Sequence, residues 1–253
     1  MNIQLKTTHD GSHTLYSPAI DECYHSQNGA IQESEHIFIK TGWESCEKSE
    51  LKIFEIGFGT GLNAFLTLLK AEKERKKTIY TALELYPLDK EITRKLNYFE
   101  LLDKNRKADF EKLHNTAWNE KTEITPFFTL EKIQADFTNY ELKDLYDLFY
   151  FDAFSPEKQP EMWSQECFEK LYANANSDAV FVTYCAKGVV RRAIQNAGFQ
   201  VERLPGPIRK KRNFESEEIK FAIFQFFSLL LPSAKNEIAY CFLFFIMSLK
   251  IKV

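Results

Sequence analysis

The chain has 253 residues, 44% of them hydrophobic, with 33 lysines and arginines against 36 aspartates and glutamates. That length suits a single α/β domain able to bury roughly three quarters of its unfolded surface. A net charge of −3 excludes a global field for polyanions, so any nucleic-acid contact must come from a local basic patch.

The N-terminus, MNIQLKTTHDGSH, is polar and lacks the apolar core of a signal peptide. Residues 1–50 are turn-rich with short β-like pieces such as EHIFIK, and are expected to form a β-rich extension packed on a main domain of residues 51–253. From residue 51 strand and helix patterns alternate. LKIFEI reads as a buried strand, and GLNAFLTLLKAEKERKK as a helix with Leu62, Phe65, Leu66 and Leu69 on one face. TIYTALEL is the next strand, and PLDKEITRKLNYF the next helix, with Pro87 in its first turn. PFFTLEKIQAD and LYDLFYFDAF are the third and fourth strands, followed by a helix over PEMWSQECFEKLYANA. DAVFVTYCA, a helix ending at Gly198, and FQVERL complete the series. This alternation predicts a doubly wound, mostly parallel sheet with helices on both faces. The five cysteines, Cys23, Cys46, Cys167, Cys185 and Cys241, are scattered, with no C-x-x-C pair and no histidine at ligand spacing. Reduced thiols in a cytoplasmic protein are expected, and no metal site.

The stretch FEIGFGTGLNAF, residues 54–65, lies after the first strong strand and opens a helix. Gly57, Gly59 and Gly61 allow positive φ and a close backbone approach to a ligand, and a helix N-terminus follows. A dinucleotide fingerprint would need glycine where Leu62 stands, and a phosphate-binding P-loop would need Lys-Ser/Thr after the last glycine. What remains, G-x-G-x-G with Glu55 two residues before it, is the pattern of a binding turn for S-adenosylmethionine, with Glu55 facing the cationic methionine end. Glu84 ends the second strand, where a carboxylate can take both ribose hydroxyls, and Asp136 ends the third, where one can accept from an adenine amino group. Each acid taken singly also suits a helix cap.

Asp152 follows the fourth strand, walled by aromatics and leading into a helix that carries Trp163. A carboxylate so placed suits a nitrogen acceptor. An alkylammonium titrating near 10.4 is about three units from its neutral form at pH 7, and only the neutral amine has a lone pair for a methyl sulfonium. Asp152 can take that proton, or instead cap the following helix through Ser155 and Pro156. From Lys187 onward the chain has Lys187, Arg191, Arg192, Arg203, Arg209, Lys210, Lys211 and Arg212 against one acid, Glu202, a stripe able to bind phosphate.

The segments DGSHTLYSPAIDECYHSQNGAIQESEHIFI, FEIGFGTGLNAF, YDLFYFDAFSPEKQPEMW, TYCAKGVVRRAIQNAGF and LPGP together resemble the methyltransferase domain of the MnmC family, in particular its stand-alone MnmD form, over about residues 8–208. The resemblance implies a Rossmann-like class I fold and methyl transfer from S-adenosylmethionine to the 5-aminomethyl group of a wobble uridine, usually 2-thiolated, in tRNA. It further implies a donor site of Glu55, Gly57, Phe58, Gly59, Gly61, Asn63, Glu84 and Asp136, with Asp152 as catalytic residue at the donor's edge. Phe154, Pro156 and Trp163 would shape the acceptor pocket, Tyr24 and Glu33 would lie close to the same cleft, and Lys187, Arg191 and Arg192 would meet tRNA.

Two departures follow. The length leaves no room for the flavin-dependent oxidase domain of full-length MnmC, so no FAD is expected, and upstream enzymes should supply the aminomethyl tRNA. After LPGP the family ending dissolves into a Phe-rich tail that a frame change near RKKR would produce. Its two apolar halves, split by PSAKNE, are each too short for a membrane span, while IKFAIFQFFSLLL has the composition of a substitute strand. A monomer is expected. The alternatives are polyamine aminopropyl transfer on the same kind of sheet, and a degenerate protein that binds the donor without turnover.

Overall fold

The structure, a computed structural model, describes residues 3–205 and 220–225. Strands β1 (Gln4–Thr7), β2 (His13–Ser17) and β3 (Glu22–Cys23) form a small antiparallel sheet. Helix α1 (Ala30–Ser34) runs on into π-helical turns over Glu35–Gly42. The main sheet then takes β4 (Glu50–Ile56), β5 (Lys77–Glu84), β6 (Lys121–Thr125), β7 (Phe128–Gln134), β8 (Tyr146–Phe151), β9 (Ala175–Thr183), β10 (Gln200–Pro205) and β11 (Lys220–Gln225). Its order is β10-β11-β9-β8-β4-β5-β7-β6. The pairs β4–β5, β4–β8, β5–β7 and β8–β9 are parallel, whereas β6, on one edge, and β11 run antiparallel to their neighbours.

Helices α2 (Leu62–Glu74), α3 (Lys90–Thr93), α4 (Tyr98–Leu102), α5 (Lys107–Asn115), α6 (Gln165–Ala173) and α7 (Gly188–Asn196) connect the strands. Alternate residues of β8 supply the two faces: Leu148 and Tyr150 join one core with Phe65 and Tyr80, while Phe149 and Phe151 join the other with Phe168 and Phe181. Each such aromatic contributes roughly 1.5–3 kcal/mol by leaving water, which holds helices to both faces.

Two expectations are corrected and a third is extended. EHIFIK is helical: Ala30, Ser34, Ile37, Phe38 and Thr41, spaced by three and four residues as on one helix face, are buried together with Ile39 and Gly42. The helix expected over PLDKEITRKLNYF is broken into α3 and α4. Pro87 precedes both, and between them Asn97 turns its amide to the N-terminal extension, accepting from His13 N at 2.9 Å and donating to Gly11 O at 2.9 Å. PFFTLEKIQAD does hold a strand, β7, but a strand that was not expected, β6, precedes it: the two form a hairpin with Pro126, which has no N–H for a ladder, in the turn. The extension is therefore mixed, with β1–β3 followed by helix. The substitute strand is present as β11, seated antiparallel between β9 and β10. The rest of the Phe-rich tail, Cys241 and the cations Arg209, Lys210, Lys211 and Arg212 lie outside the described residues.

Candidate active site

The sheet order reverses at β4, whose neighbours β5 and β8 lie on opposite sides, and a doubly wound sheet opens its ligand crevice at such a point. The glycine turn after β4 and Asp152 after β8 therefore meet. Gly57 N donates to Leu83 O at 2.9 Å and Asp152 N to Ile56 O at 3.0 Å, tying the three strand ends together. Gly57 has φ +88°, and a Cβ there would lie 2.6 Å from the backbone oxygen of Asp152. At Gly59, with φ +47°, a Cβ would meet the Tyr24 ring at 3.1 Å. Only glycine lets the turn run this close to both partners.

A cavity of about 870 Å³ opens over these strand ends, within the range of roughly 300–1,000 Å³ typical of small-ligand sites. Its floor is Gly57–Thr60 and Asn63, and Glu84 and Asp136 stand on one wall, with Asp152 and Phe154 on the other. Glu84 lines it with its carboxylate held by Gly59 N at 3.0 Å and Tyr86 N at 2.9 Å. Asp136 is engaged by its own loop, accepting from Thr138 N and Oγ1 and from Asn139 Nδ2. The Thr138 hydroxyl bond is the main cause of its lowered pKa. Phe58 is buried against His114 and Trp118, behind the turn.

Glu55, at 1% exposure, and Asp152 are joined through one side chain: Asn63 Nδ2 donates to Glu55 Oε1 at 3.1 Å and to Asp152 Oδ2 at 2.8 Å. Burial pushes the Glu55 carboxyl well above its ordinary value, and the nearby Asp152 adds to the rise. Burial likewise raises Asp152 to about 7, against the Asn63 hydrogen bond and with a contribution from the Glu33 charge. Desolvation also raises Glu84. Asn63 Oδ1 is buried without a hydrogen-bond partner, while the Glu55 carboxyl has the buried Tyr80 hydroxyl beside it. A pocket of buried carboxylates, with an orphan acceptor on its floor, suits a cationic ligand, whose charge would offset their mutual repulsion.

On the acceptor side the Tyr24 and Phe154 rings meet edge to face at 5.0 Å, and Glu33 also lines the cavity. Trp163 and Pro156 do not line it. Trp163 is buried beneath, packed on Phe151 at 4.8 Å, and its indole N–H donates to Phe154 O at 2.7 Å, so it supports the wall from behind. Lys187 is paired with Glu157, and Arg191 and Arg192 lie on α7 outside the lining. Sequence reasoning missed four contributors. Tyr184, just past β9, lines the cavity and donates to Ala153 O at 2.9 Å. His25 shares a 2.7 Å hydrogen bond with Thr60 of the turn, and burial lowers it to about 4, so it is neutral. Glu22 accepts from Ser155 N and, at 2.7 Å, from Ser155 Oγ, and beside it Asp21 pairs with Lys158 at 2.9 Å. Tyr184 was findable as a residue at a strand end in such a sheet. The Glu22 clamp spans 133 positions and leaves no local signal.

Among the described residues no group of three or more His, Cys, Asp or Glu is placed to hold a metal, four cysteines are free, and no helix is long and apolar enough to cross a membrane.

Residues 102–218 match a family described as S-adenosyl-L-methionine-dependent methyltransferase. The chain is 29% identical over 217 residues to the tRNA 5-methylaminomethyl-2-thiouridine biosynthesis bifunctional protein MnmC of Marinomonas sp., covering 76% of this chain and 30% of that protein. It is 30% identical over 211 residues to MnmC of Cupriavidus metallidurans, covering 76% and 31%. The chain thus spans about a third of the length of these curated relatives. Among solved structures, MNMC2 from Aquifex aeolicus superposes with a TM-score of 0.66 at 24% identity, covering 95% of this chain and 74% of that one. Spermidine synthase from Thermotoga maritima gives 0.54 at 14%, covering 88% and 71%, a likeness of fold alone.

Proposed function

We propose that this chain, an MnmC-like methyltransferase domain with a class I fold, N-methylates the 5-aminomethyl group of a wobble (2-thio)uridine in tRNA. The observation that carries the reading is Asp152: a largely desolvated carboxylate at the switch point, held by Asn63 and titrating near 7, at the junction of the turn and the aromatic wall. S-adenosylmethionine would supply a methyl carbon on a cationic sulfur, the N–C bond forming as the S–C bond breaks to leave S-adenosylhomocysteine. Glu55, Asn63, Glu84, Asp136 and the turn Gly57–Gly61 would hold it. Asp152 takes the proton that the acceptor nitrogen sheds and orients its lone pair. Tyr24 and Phe154 flank the entering base, and aromatic faces accept unstacked bases from single-stranded loops. Lys187, Arg191 and Arg192 on the α7 side would meet the tRNA backbone. The curated relatives carry the tRNA activity in their names, which favours this reading over aminopropyl transfer.

The test is methyl transfer from labelled S-adenosylmethionine to tRNA from cells lacking this methylation, with Asp152→Ala as control. Label at the wobble uridine, lost in the variant, is expected. Donor binding without transfer would instead mark a protein that keeps the pocket and has lost turnover.

The pH dependence has a definite sign. Below about 7 Asp152 is protonated and cannot accept, so log kcat should rise with pH and flatten above about 7. A profile flat from pH 6 to 8 would remove Asp152 from the proton-transfer step. The Glu22 clamp gives a separate expectation: Glu22→Ala frees the loop carrying Phe154 and should raise the KM for tRNA about tenfold, leaving donor affinity unchanged. An equal loss of donor affinity would assign the clamp to the other end of the cavity.

A further inference from the structure

The orphan Oδ1 of Asn63 has a use that the two hydrogen bonds from the same amide define. Asn63 is 3% exposed, lines the cavity, and lies in the first turn of α2. The Nδ2 of this amide donates to both carboxylates, and Oδ1 is the side left without a partner. A buried acceptor without a partner is destabilising, and a bound donor group removes that cost.

We propose that Asn63 is the coupling residue of the site: its Oδ1 receives the α-ammonium of the methyl donor while its Nδ2 holds Asp152, so that donor binding and the ionisation of the proton acceptor are linked through one amide. This rests on the methyl-donor reading above. The titratable groups around Asp152 are Glu55 on β4, Tyr80 and Glu84 on β5, Glu33 on α1, Tyr98 on α4 and Tyr184 just past β9. None is cationic, and no salt bridge among the described residues reaches Asp152 or Glu55. The ligand's ammonium would therefore be the first positive charge in this cluster, and its arrival should expel a proton from it.

The linkage is read without turnover, by calorimetry of S-adenosylhomocysteine binding to the full chain from pH 6 to 8.5 in two buffers of different ionisation heat. The wild type is expected to release protons on binding, with affinity rising through about pH 7. Asp152→Asn should abolish that release while binding persists. Asn63→Leu should weaken binding about tenfold at pH 7, the effect of one charge-assisted hydrogen bond. Asn63→Asp keeps an acceptor but loses the NH2 group, so the pH of maximal release should move upward. A folded Asn63→Leu binding within twofold of wild type, or a release unchanged in Asp152→Asn, overturns the coupling. The second result does so even if the Asn63 variants do not fold. Absence of any binding by the folded wild type overturns the donor-site reading itself, and the coupling with it.

Discussion

Asp152→Asn is expected to lower kcat for methyl transfer by about a thousandfold, within the 10²–10⁴ usual for removing a positioned acid or base, with donor binding still measurable. The substitution keeps an oxygen to accept from Asn63 and nearly the same volume, so what it deletes is the negative charge and the proton site. A second, opposite effect should accompany it. Asp152 titrates near 7 in the fold, above an unfolded value of about 3.9, so between those values the native state binds the extra proton. Its contribution to stability is fully present below the unfolded value and is lost as pH rises through about 7. The asparagine variant escapes this loss and should melt higher than wild type at pH 8 and not at pH 4. A variant that keeps more than a tenth of wild-type kcat would sink the proposed role. Equal melting shifts at both pH values would mean that the carboxyl is not raised by burial.

Gly57→Ala should be the most damaging single methyl group in the molecule. The residue has φ +88°, where an L side chain costs about 1–2 kcal/mol, and its Cβ would press to 2.6 Å on the backbone oxygen of Asp152. The Cβ is fixed by the backbone and meets a backbone oxygen, so no rotamer relieves the contact. Either β4 and β8 separate at their ends or the turn shifts, and both displace Asp152 from Asn63. A loss of about 3 kcal/mol lowers the melting temperature by roughly 6–12 °C for a domain of this size. S-adenosylhomocysteine binding should fall below detection. A melting temperature within two degrees of wild type, with normal binding, would show that the turn tolerates the methyl and that its glycines serve only flexibility.

Much of the architecture is legible in the sequence, because its signals are local. Apolar runs bounded by turns placed β4, β5, β8, β9 and β10, and the helical period placed α2 and α7. The turn Gly57–Gly61 and Asp152 could be set at strand ends by counting alone, since a doubly wound sheet delivers its strand ends to one edge. Where the reading failed, a distant segment had intervened. The helical period over PLDKEITRKLNYF runs on through a break in which Asn97, just before α4, gives its amide to Gly11 and His13, and EHIFIK is too short for alternation to be distinguished from a helix face. Trp163 has the composition of a pocket wall, yet the packing of Phe151 and Phe168 draws it beneath the loop.

By itself, the sequence determined the alternating α/β order, the glycine turn, and which acids would stand at the ends of the strands, because backbone freedom and hydrophobic period are properties of neighbouring residues. Only the tertiary structure decided that Asn63 would bridge two carboxylates, one of them 89 positions away, that Glu22 would hold Ser155, and that Lys220–Gln225 would fill the slot between β9 and β10. The physical reason is that burial and charge–charge proximity are set by what the fold brings within a few ångströms. The carboxyl of Asp152 is ordinary in the unfolded chain and becomes a group poised near neutrality only when β4, β8, α1 and α2 close around it.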